Sequence, residues 1–360
     1  MIEQDLINFR LQNQQLVDSS FSNVTELVHY LGAVQAQEYE GGKWTIGLRI
    51  PGSKADDVEK AIRDRKIIRT WPMRGTLHYV TSEDARWMIQ LLVPRVIRRM
   101  SYYFKQLELT DDVFSKARKL ITKELEGGKS ITRPTFYKLL EENNISTKEQ
   151  RGLFILGRFA GESLICFGSK EGKQQTFVLM DEWIPNQKTI ESEEAIAEIT
   201  LRYFTSHGPA QIIDLAWWSG LTNTEVKKGI ELNKGKLLEK KIGDRTFYMS
   251  VKLPDVKQNE SSIMLLPAYD EFTIAYKDRS DLRGSGGVPE IKINDGFFSM
   301  IAKNGKIIGS WRKEIRKGKV IIQCRIHEDL SEKDMRDLKK SAEDYSEFYN
   351  IDCVIEQIKV

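Results

Sequence analysis

Two glutamines near the start of the chain, Gln35 and Gln37, are separated by one alanine and follow a glycine, Gly32. The glycine favours the end of a helix before this point, so the pair is expected in an extended segment. Side chains alternate along an extended chain, so both amides would project to one side, whereas positions i and i+2 of a helix do not share a face. The alternative interpretation is a pair of solvent-exposed amides without a chemical role.

The chemistry open to two amides is weak, because a glutamine does not take up a proton near neutral pH and cannot act as an ordinary general base. It can orient a water molecule through its carbonyl oxygen and donate through its NH₂ group. Such groups suit a substrate with a good leaving group, such as a purine that is positively charged after alkylation of a ring nitrogen. Its glycosidic bond breaks through an oxocarbenium-like transition state, which nearby dipoles stabilise. We therefore hypothesise that Gln35 and Gln37 are catalytic.

A second segment, residues 69–78, carries two arginines, a tryptophan and a histidine around Pro72 and Gly75. On a strand, Arg74, Thr76 and His78 would share one face. Arg74 is predicted to contact a phosphate. For His78 two interpretations stay open, a place in the wall of a binding pocket or a hydrogen bond to the neighbouring backbone.

Basic residues cluster in residues 65–74, 95–99 and 312–325, although the net charge is only +3. Such clusters bind phosphates in some proteins and form solvated surfaces in others. Trp71, together with Trp44, is a candidate for stacking on a base. The residues predicted to bind DNA are Arg69, Trp71, Arg74, His78, Arg98 and Arg99.

Composition narrows the class of protein. With 40% hydrophobic and 30% charged residues in 360, the chain is expected to fold into several domains. Its three cysteines and four histidines lack the spacing of a metal site, and an iron–sulfur cluster would need four cysteines. No metal or cofactor is predicted. The sequence shows neither a membrane-spanning apolar run nor a signal peptide, so a cytoplasmic location is expected.

The elements that must position these residues begin with helices over residues 6–16, 24–28 and 55–65, the second capped by Ser22 or Asn23. Residues 67–80 then alternate between apolar and polar, with a turn or bulge at Pro72 and Gly75. Three helices followed by a two-stranded ribbon are typical of a winged helix. The order recurs twice, with helices over 82–107, 111–125, 134–140 and 148–160 and a hairpin of 163–168 and 175–179, then helices over 193–205, 209–218 and 224–232 and a hairpin around 242–245.

In the third repeat, Pro209 is predicted to be the first helical residue and Thr222 to cap the following helix, a helix-turn-helix pattern. Strands dominate after residue 262, with a hairpin turn at Asn304 and Gly305. They are predicted over 263–266, 272–275, 296–301, 306–311, 317–326 and 354–358, with one helix over 332–347. The predicted fold is mostly helical with β structure, made of tandem winged helices at 1–81, 82–185 and 186–258 and a C-terminal β-rich domain at 259–360.

These pieces together resemble the AlkZ/YcaQ family of winged-helix DNA glycosylases. The likeness spans nearly the whole chain and is carried by the Gln-Ala-Gln motif, by residues 69–78, and by three later stretches, Leu-Pro-Ala-Tyr-Asp-Glu at 266–271, Tyr-Lys-Asp-Arg at 276–279 and Gly-Ser-Trp-Arg at 309–312. The AlkZ-like branch has Gln–apolar–Gln where the YcaQ-like branch has Gln–apolar–Asp, so this chain resembles the former. The charged residues of 269–279 are interpreted as an ion-paired domain junction, with a functional site as the alternative.

The resemblance implies a monofunctional DNA N-glycosylase of base excision repair, with Gln35 and Gln37 as its catalytic residues. It would act as a monomer on double-stranded DNA that carries alkylated bases or interstrand crosslinks, in the cytoplasm and associated with the nucleoid. Tandem winged helices would form a concave DNA-binding surface. The alternatives are a non-catalytic winged-helix regulator that binds DNA and a winged-helix scaffold for protein interactions. Salt-dependent DNA binding would exclude the scaffold, and base excision would exclude the regulator.

Overall fold

A computed structural model describes residues 3–252, 262–283, 299–316 and 319–357 of the chain. The chain divides into two compact units, and the second interrupts the first in sequence. We call Met1–Val58 together with Ala197–Val360 the split unit, and Glu59–Ile196 the inserted unit. The boundaries of the four predicted domains differ from those of these two units, and the division into four domains stays a prediction.

The N-terminal part of the split unit is helical, as predicted. Asn23 caps its second helix by accepting from two backbone N–H groups, so of the two proposed caps it is Asn23 that acts. The third helix was not predicted, because it begins Tyr-Glu-Gly-Gly and glycine is a poor helix former. The elements are α1 Glu3–Asn13, α2 Val24–Leu31, β1 Val34–Gln35, α3 Tyr39–Gly47 and α4 Ala55–Arg63, the last of which crosses into the inserted unit.

The inserted unit opens with an antiparallel hairpin whose register shifts between Thr70 and Met73. Pro72 lies in this irregular stretch, because it has no N–H to donate to a ladder, and Gly75 forms the turn with φ of +79°. The hydrophobic core of this unit contains the buried side chains Phe136, Phe159 and Phe177. The elements are β2 Ile67–Met73, β3 Thr76–Thr81, α5 Ala85–Gln106, α6 Asp111–Leu125, β4 Ile131–Thr132, α7 Arg133–Glu142, α8 Arg151–Gly161, β5 Ile165–Phe167, β6 Thr176–Leu179, α9 Met180–Trp183 and α10 Ser192–Ser206, the last of which crosses back into the split unit.

The split unit resumes with a helix-turn-helix and its wing. Gly220, with φ of +82°, makes the turn, and Thr222 caps the second helix in a reciprocal capping box with Glu225. A five-stranded sheet of order β13-β12-β11-β10-β9 follows, with β13 parallel to β12. The elements are α11 Ile212–Ser219, α12 Asn223–Leu232, β7 Leu237–Ile242, β8 Arg245–Ser250, β9 Ile263–Leu266, α13 Glu271–Ile274, β10 Ser299–Lys303, β11 Lys306–Arg316, β12 Lys319–Ile326, α14 Glu332–Tyr349 and β13 Cys353–Gln357.

Two predictions about these elements are wrong. Pro209 does not open a helix: α11 begins at Ile212, and Ala210 instead pairs with Tyr248 through backbone hydrogen bonds. The strand predicted over 272–275 is the helix α13, because the Asp270 side chain accepts from the Phe272 N–H and caps it. Parts of three predicted strands, residues 296–298, 317–318 and 358, lie outside the described residues. The fold class itself, mostly helical with winged helices and a C-terminal β-rich part, is confirmed.

Within the described ranges, none of the helices has the length and apolar character needed to span a membrane. Over the same ranges, His, Cys, Asp and Glu side chains form no group of three or more that could hold a metal ion.

Candidate active site

The segment that carries the two glutamines joins α2 to α3. Gly32 ends α2 with φ of +80°, and its N–H donates to the His29 carbonyl. Gln35 lies in the two-residue strand β1, and Gln37 lies in a bend before α3 begins at Tyr39. The prediction that the helix ends before the pair is confirmed. The two side chains differ in exposure: Gln35 is only 6% exposed, whereas Gln37 is exposed. A pair of solvated amides is therefore the wrong description of Gln35.

A buried carboxyl group holds the backbone of this segment. Glu271 Oε1 accepts from the Gln35 N–H at 2.8 Å, and Oε2 accepts from Trp218 Nε1 at 2.8 Å. His207 Nε2 lies 3.6 Å from the same Oε2. Burial lowers the pKa of His207, which favours its neutral form even though Glu271 acts in the opposite direction.

The residue before Glu271 makes a buried ion pair. Both oxygens of Asp270 accept from Arg49, at 2.8 and 2.9 Å, and both side chains are 0% exposed. The other guanidinium hydrogens go to the Gln14 carbonyl, the Gln14 side chain and the Thr45 carbonyl. All five N–H donors of Arg49 are thus used. The interpretation of 269–279 as ion-paired is confirmed for Asp270. For Glu271, which contacts the glutamine segment, the alternative interpretation of this stretch as a functional site applies.

A cavity of about 400 Å³ opens beside Gln37. Trp44 and Trp311 form part of its wall, and hydrogen bonds fix both indole rings. Trp44 Nε1 donates to the Leu265 carbonyl and Trp311 Nε1 donates to the Leu266 carbonyl, each at 2.8 Å. Tyr345 contacts both indoles edge-on, with ring centroids 5.1 and 5.6 Å away. The lining residues are Gln37, Glu38, Gly41, Trp44, Pro267, Ala268, Tyr269, Ser299, Trp311, Arg312, Lys313, Tyr345 and Tyr349.

The wall of the same cavity also contains an ion pair and a residue with strained backbone geometry. Glu38 Oε1 lies 3.6 Å from Lys313 Nζ, so a carboxylate and an ammonium meet in its wall. Burial, with the negative charge of Glu38 as a second cause, raises the pKa of Tyr345, which therefore stays a neutral phenol. Tyr269 is held at φ of +66° and is 43% exposed. A bulky residue in the left-handed region is uncommon, and such strain concentrates at functional sites.

The six residues predicted to bind DNA all lie in the inserted unit. Arg69 is buried in β2, with its guanidinium carbon 4.9 Å from the centre of the Phe167 ring. Trp71, half-buried on the same strand, lies 5.1 Å from that ring. Both side chains therefore pack around Phe167. Arg98 and Arg99 are exposed on α5.

Arg74 lies in the turn between β2 and β3, with φ of +54°, so the prediction that it shares a strand face with Thr76 and His78 is wrong for Arg74, although its side chain still reaches His78. Arg74 Nη2 lies 3.4 Å from His78 Nε2, and His78 Nδ1 lies 3.0 Å from the Thr76 carbonyl oxygen. If Nδ1 carries the proton, it donates to Thr76 while Nε2 accepts from Arg74. The contact with the neighbouring backbone, which one of the two interpretations of His78 predicted, is therefore present, and the side chain is fully buried.

Comparisons with known proteins agree on one family. The model of a family described as DNA glycosylase AlkZ-like matches residues 28–348. A protein of Streptomyces sahachiroi named interstrand DNA cross-link repair glycosylase is 22% identical over 321 residues, which cover 84% of this chain and 85% of that protein. The solved structure of the DNA glycosylase AlkZ of Streptomyces sahachiroi is similar with a TM-score of 0.78 and 19% identity, over 99% of both chains. The structural similarity establishes the shared fold.

Proposed function

The chain belongs to the AlkZ-like family of DNA glycosylases, and on this basis we propose that it hydrolyses the N-glycosidic bond of N-alkylated purines and unhooks interstrand crosslinks joined through such positions. The second part of the proposal is supported by the name of the Streptomyces relative, which describes crosslink repair. Membership of a glycosylase family favours an enzyme over the regulator and the scaffold considered from the sequence.

We assign catalysis to Gln35 and Gln37. In an alkylated purine the electrons of the breaking C1′–N bond pass to the charged ring, which becomes neutral, so the leaving group needs no acid. The positive charge left on the sugar is stabilised by nearby amide dipoles, and a water oriented by a glutamine carbonyl attacks C1′ and releases its proton to solvent. The observation that carries this assignment is the position of Gln37, which is exposed on the wall of an aromatic cavity.

We place the damaged base at the mouth of that cavity. Tyr269 is half-exposed there, and an aromatic ring stacks on any base regardless of its identity. Arg98 and Arg99 are exposed and are proposed to bind phosphates, as is Arg74. Roles for Arg69, Trp71 and His78 in DNA binding stay predictions.

DNA is the substrate that family membership implies. We further propose that the protein acts as a monomer on double-stranded DNA and is associated with the nucleoid in the cytoplasm.

The test uses a duplex with a single N7-alkylguanine, incubated with the wild type and with Gln37→Ala, then heated in alkali to break abasic sites. The wild type is expected to cut the strand, and the variant to be slower by about 10²–10³, the effect of removing one preorganised dipole. Gln106→Ala is the matched control, because it removes an exposed amide at the end of α5. A crosslinked duplex tests unhooking in the same way. If wild type and Gln37→Ala cut equally, the assignment of catalysis is wrong. If the wild type binds both duplexes without cutting either, the proposed activity is wrong.

A further inference from the structure

Glu271 is a carboxyl group in an unusual place, 0% exposed in the interior of the split unit. Burying such a group is costly unless both oxygens find donors. Here the donors come from two distant stretches: the Gln35 N–H lies 236 residues away in sequence and Trp218 Nε1 lies 53 residues away. Glu271 therefore links three segments of the chain and restrains their positions relative to one another.

The neighbouring Asp270 binds the chain on the other side of α3. Glu271 binds the backbone just before α3, and Asp270 binds Arg49 just after α3. Two consecutive residues therefore hold both ends of the helix that follows the glutamines. The Asp270 side chain also caps α13, the short helix on which Glu271 stands, by accepting from Phe272 N–H at 2.9 Å.

The segment between α2 and α3 is short and mostly irregular. Its strand is two residues long, and Gln37 lies in a bend beyond it. The hydrogen bond from the Gln35 N–H to the Glu271 carboxyl oxygen, at 2.8 Å, therefore restrains the backbone two residues before Gln37.

We propose that Glu271 is a positioning residue of the glycosylase: its carboxyl group fixes the backbone of Gln35, and with it the amides that act on the sugar. Glu271 does not touch the substrate. The inference rests on the proposed function of the two glutamines, and it adds a residue from the other end of the chain to their site.

Glu271→Gln tests the role with little change in shape. An amide has one acceptor oxygen, so one of the two N–H donors would face an NH₂ group. We expect the single-turnover excision rate at saturating enzyme to fall by up to about 100-fold, the scale of a small misplacement of reacting groups. The Kd for the lesion duplex should change less than about twofold. Glu332→Gln, on an exposed side chain at the start of α14, is the matched control and should leave both values unchanged.

A second variant separates positioning from general damage to the core. Trp218→Phe removes the competing donor, so in the double variant the oxygen of the introduced amide is free to accept from the Gln35 N–H. Positioning therefore predicts that Glu271→Gln with Trp218→Phe is faster than Glu271→Gln alone. If the two losses simply multiply, the role is structural only and the proposal is overturned.

A measurement without catalysis distinguishes this proposal from the proposed function. Hydrogen exchange at the Gln35 amide is expected to be slow in the wild type and at least about tenfold faster in Glu271→Gln, with α12 exchange unchanged as the internal control. If no lesion is cut by the wild type, the proposed function fails while the exchange result still tests the contact. Equal exchange at Gln35 in wild type and variant would overturn the positioning role.

Discussion

Asp270→Asn is expected to destabilise the split unit strongly, because it removes the charge that Arg49 faces in the interior. Both side chains are 0% exposed and joined by two hydrogen bonds of 2.8 and 2.9 Å. Asparagine keeps one acceptor and presents an NH₂ group to the guanidinium, so Arg49 is left as a buried cation without a counter-charge. Breaking a buried pair from one side costs about 3–5 kcal/mol. At about 2–4 °C per kcal/mol for a unit of this size, the midpoint should fall by roughly 6–20 °C.

The assay is thermal and urea unfolding followed by tryptophan fluorescence, since Trp44, Trp218 and Trp311 are buried in the same unit. The matched control is Asp344→Asn, which breaks an exposed Lys340–Asp344 pair one helical turn apart and should cost at most about 1 kcal/mol. A loss below about 1 kcal/mol for Asp270→Asn would refute the reasoning, because it would mean that the buried charge is compensated without its partner.

Three further predictions rest on particular contacts. Burial lowers the pKa of His207 in the folded protein, so as the pH falls the unfolded chain binds a proton first, near pH 6.5. The free energy of unfolding should therefore decrease between about pH 7 and pH 5. Urea titrations of His207→Gln over the same range should show a weaker decrease. Gly47→Ala should lower the free energy of unfolding by about 1–3 kcal/mol, since the new Cβ would lie 2.6 Å from the Phe348 ring. Gly157→Ala on α8 is the matched control: its new Cβ has nothing within 4 Å, so the same denaturation experiment should show a gain of about 0.5–1 kcal/mol. Tyr269→Ala should leave the free energy of unfolding nearly unchanged, because the side chain is 43% exposed. It should weaken binding to a lesion duplex by about 1–3 kcal/mol, measured by fluorescence anisotropy. An unaltered affinity would show that Tyr269 is not part of the site.

Elements governed by short-range interactions were predictable from the sequence. The capping box that opens α12 joins Thr222 to a residue three positions on, and the hairpin at Asn304 and Gly305 depends on the turn they form. The end of α2 at Gly32 was predictable for the same reason, and with it the non-helical conformation of the glutamines. The order of helices and hairpins was also largely predictable from the sequence. The resemblance to the glycosylase family was visible there too, and the family model confirms it.

Elements that depend on distant partners were not predictable in this way. Residues 272–275 are apolar enough for a strand, yet the cap from Asp270, itself held by Arg49, makes them α13. The helix α3 forms despite two glycines in its first turn, with Trp44 and Gly47 packed against α14 residues Tyr345 and Phe348. Local propensity is a weak preference, and packing against the rest of the unit overrides it.

The candidate site shows the same division. The sequence by itself determined the residue types that we propose for the chemistry, two amides beyond the end of a helix, because their spacing and the glycine before them are local facts. Only the tertiary structure decided that Gln35 is buried while Gln37 is exposed beside an aromatic cavity, and that Glu271 binds the Gln35 backbone. The physical reason is that this hydrogen bond joins residues 236 positions apart, and such a contact exists only once the whole unit has packed.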